Sequence, residues 1–119
     1  MTEAEKREML EMAASLDGKV LSFDGPAVWV VHGGERVELW NPLESNDHAF
    51  KLAVKWGVSI EFGSCDDDAP IVRAKWSDGS VAFPWAYCFP DGCASTRRVI
   101  VSALAEIGRQ MSAEGAKEG

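Results

Sequence analysis

Apolar residues recur along this chain in two rhythms, one helical and one alternating, and the switches between them predict its elements. Met9, Leu10, Met12, Ala13 and Leu16 form a modest stripe at helical spacing. Thr2 followed by Glu5 matches a capping box ahead of that stripe, and Asp17-Gly18 supplies its stop. Val20, Leu21 and Phe23, then Ala27 to Val31, are dense in β-branched and aromatic residues, with turn chemistry at Asp24-Gly25-Pro26 between them. A second turn at Gly33-Gly34 precedes Arg36 to Trp40, whose alternation sets Val37 and Leu39 on one face and Arg36, Glu38 and Trp40 on the other. The first third therefore reads as a helix and a three-stranded meander.

Pro42 cannot sit in a central strand, so the chain leaves the sheet at Asn41-Pro42. Ser45 is placed as the cap of a second helix that stops at Gly57, and Ala49, Leu52, Ala53 and Trp56 form its core-facing stripe, with Lys51 and Lys55 on the polar side. Val58, Ile60 and Phe62 alternate with Ser59 and Glu61 as a half-buried strand, after which Gly63 to Pro70 is an acidic loop. Ile71 to Trp76 resumes strand character, and Ser77-Asp78-Gly79 turns the chain into Ser80 to Phe83. Trp85, Tyr87 and Phe89 alternate between Pro84 and Pro90, which suits an edge strand or an ordered loop. The last helix takes Ser95 or Thr96 as its cap and Ile100, Ala103, Leu104, Ile107 and Met111 as its stripe, with fraying expected from Ser112. The expected fold is α+β: a mainly antiparallel sheet packed with helices as an αβα sandwich. It forms one domain over residues 1–112, with an N-terminal helix and strands in 1–39, a core in 40–111, and a flexible tail in 113–119.

The 46 % hydrophobic content of the 119 residues, with five tryptophans and five phenylalanines, supports a core that needs neither disulfide nor structural metal. A net charge of −7 opposes a phosphate-tracking surface and disfavours nucleic acid as a partner. It suits solubility first, and approach to a basic protein surface second. No run approaches the roughly 20 apolar residues that span a bilayer, and the N-terminus is charged where a secretory signal would be apolar. Those features predict no membrane partner and a cytoplasmic location. Cys65, Cys88 and Cys93 lack C-x-x-C spacing, so free thiols are expected.

The stretch from Trp40 to about Gly108 resembles the phage ABA sandwich domain family, which is similar to the NinX-type small bacteriophage proteins. The residues that carry the resemblance are Trp40-Asn41-Pro42, Asp47 to Leu52, Val58 to Phe62, Ile71 to Trp76 and Thr96 to Ile100. It implies a helix, sheet, helix core in a phage or prophage accessory protein within a bacterial host cell, and it transfers no active-site residues. The first 39 residues depart from the pattern, either extending the same sheet or forming an appended interaction surface.

No motif carries a reaction, so no catalytic, metal or cofactor-binding residue is assigned. Asp66-Asp67-Asp68 lacks the spaced ligands of a calcium loop and reads as a solvated loop. His32 and His48 have no ligand-like spacing to the cysteines, which read as small packed hydrophobes. Arg97 and Arg98 stand in the expected first turn of the last helix, where positive charge opposes the dipole; a salt bridge to Asp91 or to the acidic loop would answer them, as would an acidic partner. Trp85, Tyr87 and Phe89 either present large amphipathic area to a partner on a proline-bounded edge or, one or two of them, cap the core, and the two readings stand level. The candidate contact residues are therefore Trp85, Tyr87, Phe89, Arg97 and Arg98. The expected activity is non-catalytic binding of a host or phage protein, including inhibition of a host defence complex. The alternatives are a small metal- or thiol-dependent enzyme or ligand-binding protein, and a self-associating structural protein that forms homo-oligomers.

Overall fold

The computed structural model describes the backbone of residues 2–76 and 81–118 and the side chains of 2–76 and 81–111; the turn expected at Ser77-Asp78-Gly79 lies outside the described residues. Among the described residues the chain is α+β, with three helices and two antiparallel sheets, one of three strands and one of four. Its residues gather into two compact units, 1–41 with 104–119 and 42–103.

The first unit opens with α1, Glu3–Leu16, whose cap Thr2 accepts the Glu5 N–H as the capping box requires. Its C-terminus closes with Lys19 N–H on the Ala14 carbonyl and Gly18 N–H on that of Ser15, a Schellman pair that needs the left-handed φ of +72° at Gly18. Strands β1, Val20–Asp24, β2, Ala27–His32, and β3, Glu35–Leu39, then pair in sequence order as the meander. Val28 and Val30 bury one face of β2, while Arg7 of α1 stacks on Phe23 at 4.9 Å. The first 39 residues thus build a sheet of their own. Val37 and Leu39, expected on one face, are both exposed: Leu39 pairs with Trp29, away from the buried face of Val28 and Val30, and a register irregularity opposite Val30 and Val31 skips Val37. The later part of the third helix, α3, Gly92–Glu118, also belongs to this unit. A Cβ on Gly108 would stand 3.1 Å from the Met12 carbonyl oxygen, so glycine is what lets these two helices approach.

The second unit begins at Pro42. Helix α2, Asn46–Trp56, is capped by Ser45, whose hydroxyl accepts the His48 N–H, and it ends at Gly57 with φ +66°. Its stripe buries Ala49, Leu52 and Ala53. Strands β4, Ser59–Ser64, and β5, Pro70–Trp76, form a hairpin; β6, Val81–Ala82, pairs with the far end of β5, and β7, Ala86–Tyr87, with its beginning. The Trp76 indole donates to the Trp56 carbonyl at 2.9 Å, tying β5 to the last turn of α2.

Helix α3 starts earlier than Ser95. Asp91 is its cap: Oδ1 accepts the N–H groups of Cys93 and Ala94, and the Ser95 N–H already donates to the Asp91 carbonyl. Thr96 turns its hydroxyl back to the Gly92 carbonyl, the habit of threonine inside a helix. The helix continues to Glu118, and between Val99 and Ile107 it buries Val99, Val101 and Ala105 as well as Ile100, Ala103, Leu104 and Ile107. Met111, the last residue of the expected stripe, is exposed.

Candidate functional site

Cross-strand pairing in β4, β5 and β7 sorts the second unit's side chains onto two faces. Residues directly opposite each other in an antiparallel pair share a face, and successive residues alternate. Phe62, Val72 and Ala86 therefore stand on one side, with Ile60 and Ala74. Glu61, Arg73 and Lys75 stand on the other, with Gly63, Ile71 and Tyr87. Val72 and Ala74 are fully buried, which marks the first side as the inner one.

On the outer side, Arg73 makes three contacts of 3.2 to 3.4 Å with the Glu61 carboxylate, and Lys75 pairs with the same group. The Lys75 bond leads the causes that hold the Glu61 carboxyl below its ordinary range; desolvation opposes it, and Arg73 adds to it. The Arg73 guanidinium also lies 4.4 Å from the Trp85 ring centroid. The indole reaches Gly63, whose Cβ, if it had one, would meet the ring edge at 3.4 Å. Trp85 is thereby held in place while still 39 % exposed, beside Tyr87 at 61 % and Phe89 at 80 %. The three aromatics expected as contact residues are all at the surface.

The expected arginines divide. Because α3 begins at Gly92, Arg97 and Arg98 fall in its second turn, where the dipole conflict has faded. Arg97 donates Nε to the Leu43 carbonyl at 2.8 Å and Nη1 to Asn46 Oδ1 at 2.6 Å, so its acceptors lie on the approach to α2 and not on Asp91 or the acidic loop. Arg98 is exposed. Arg97 lines an open cavity of about 620 Å³ bordered by α2, β4 and the beginning of α3, whose lining also includes Phe50, Ile60, Phe62, Cys88 and Ile100. The aromatic set and Arg97 are thus not one site: Tyr87 stands on the outer face, while the cavity opens onto the inner one.

This cavity is the feature that the sequence pattern did not mark. Phe62 was expected to face the core beside Val58 and Ile60, yet it is 66 % exposed. Phe50 falls outside the stripe of α2 and is exposed with Val54 one turn on, a second apolar row that was the available signal.

The acidic loop folds on itself. The Cys65 thiol donates to Asp67 Oδ1 at 2.6 Å, and with the Ala69 N–H it holds the Asp67 carboxyl below its ordinary value. Asp68 takes a left-handed φ of +62°. Among the described residues no group of three or more His, Cys, Asp or Glu is placed to share a metal ion, and no helix is long and apolar enough to cross a membrane. The cysteines are free thiols.

Comparison with known proteins finds no matching family model, no matching curated protein and no matching solved structure.

Proposed function

We propose that this chain acts without catalysis, by binding a partner protein through the outer face of the β4 to β7 sheet. The observation that carries this reading is the aromatic set: Trp85 anchored on Gly63 and Arg73 yet open to solvent, with Tyr87 and Phe89 more exposed still. Rigid aromatics bury large area at a small entropic cost when a partner covers them, and tryptophan and tyrosine dominate binding hot spots. The residues that resemble phage ABA sandwich proteins support a phage or prophage accessory role as part of this proposal, in the cytoplasm of a bacterial host. The net charge of −7 favours a partner with basic surface, and inhibition of a host defence complex is one form that such binding takes.

Capture from bacterial lysate on the immobilised full chain tests the reading, with a Trp85→Ala, Tyr87→Ala double variant run in parallel. The expected result is a stoichiometric partner retained by the wild type and lost by the variant, while circular dichroism shows both chains folded. Absence of any stoichiometric partner, or equal retention by the two chains, would refute it.

Self-association through β3 is the weaker reading. All of β3 is exposed, but the irregularity at Val37 interrupts its edge, a device by which exposed strands resist pairing.

A further inference from the structure

The cavity beneath the inner face combines an apolar wall with a single cationic side chain, and that combination specifies a ligand chemistry. We propose that it binds an apolar carboxylic acid, with the hydrocarbon against Phe50, Ile60, Phe62 and Ile100 and the carboxylate on Arg97. Its volume of about 620 Å³ is that of a small-molecule site. Ala49 also contributes to the lining.

Arg97 sets the sign of the ligand. Its guanidinium carries five N–H donors, and two of these bonds are made, both to neutral acceptors, Leu43 O and Asn46 Oδ1. The charge therefore has no carboxylate partner among the described residues. The same two bonds fix the group before any ligand arrives, which lowers the ordering cost of binding. The other ionisable groups of the lining are Asp91, Cys88 and Cys93. Asp91 is engaged as the α3 cap, accepting the Cys93 and Ala94 N–H groups, so its charge is met by the positive end of that helix. An alcohol of equal length would fill the apolar wall and leave Arg97 unanswered. A charge-assisted hydrogen bond distinguishes acid from alcohol by roughly tenfold.

This site lies on the opposite side of the sheet from Tyr87 and does not depend on the partner-binding proposal. The test uses the full chain with anilinonaphthalene sulfonate as fluorescent probe, displaced by decanoate or by decanol, both kept below aggregation. Site-resolved maleimide labelling of Cys93, which is exposed and part of the lining, supplies a second readout. The expected result is displacement by decanoate at roughly tenfold lower concentration than by decanol. Slowed labelling of Cys93 should accompany it, and the preference for the acid should vanish in Arg97→Gln. Equal potency of the two compounds on the wild type would overturn the proposal, as would failure of decanoate both to displace the probe and to protect Cys93. Protection of Cys93 by an apolar helical peptide but not by decanoate would overturn it too. If Arg97→Gln fails to fold, the wild-type comparison and the labelling decide alone.

Discussion

Val72 and Arg73 are consecutive residues of β5, separated by one peptide bond and facing opposite surroundings. Val72 is fully buried, whereas Arg73 lies among Glu61, Lys75 and the Trp85 ring with part of its surface in water. At Val72 and Ala74 the inner face is held by exclusion of water, and those positions tolerate no uncompensated charge. The outer face is held by groups that stay partly hydrated, so each contributes little to folding and remains available to something else. That difference is why the outer face is the better place to look for a partner: its aromatics can be removed without dismantling the core.

The largest effect that would test this contrast is at Val72. Substitution Val72→Asp buries a carboxylate with no counter-charge, and the expected loss exceeds about 4 kcal/mol, a large share of the roughly 5–15 kcal/mol that holds a domain folded. Urea unfolding followed by circular dichroism should show a protein without a native baseline. A variant that unfolds like the wild type would mean that the inner face admits water. The neighbouring substitution Arg73→Ala removes the stacking on Trp85 and one of two cations from Glu61, and about 1 kcal/mol is the expected cost in the same experiment. A loss comparable to that at Val72 would erase the distinction between the faces.

What the sequence revealed follows the same division between local and distant causes. The caps at Thr2 and Ser45 and the stop at Gly57 were legible because a cap is made by residues within one turn of each other. The beginning of α3 was misplaced because Asp91, Ser95 and Thr96 are all capping types, and the apolar stripe starts only at Ile100. Which of them caps depends on where the backbone N–H groups point, and the hydroxyl of Thr96 is committed inside the helix. Exposure of Trp85, Tyr87 and Phe89 was one of two readings that their spacing allowed, and Gly63 decides the seat of Trp85 from across the sheet. The cavity was illegible because its wall brings Phe50, Phe62 and Arg97 together from three elements. Alternation alone sent Phe62 to the core. Nothing local could have said that the space in front of it stays open.

The smallest effect separates the faces by pH. Glu61 has an ordinary value near 4.5 and is lowered in the folded chain, first by its bond to Lys75 and then by Arg73 against the opposing cost of desolvation. A carboxyl whose folded value is depressed contributes stability that is present above its unfolded value and lost as pH falls through the folded one. Wild type and Glu61→Gln should therefore differ most at neutral pH, with the wild type the more stable, and converge as pH falls below the ordinary value of 4.5 and on through the lower one at which folded Glu61 takes up its proton. Urea midpoints for both chains at pH 7 and pH 3 measure that convergence. A gap of constant size across the range would show that Glu61 acts through its shape and packing, and the outer face would then resemble the inner one more than its charges suggest. Convergence would instead assign the Glu61, Arg73 and Lys75 cluster to electrostatics screened by water, leaving Trp85 and Tyr87 on that face free to be covered by a partner.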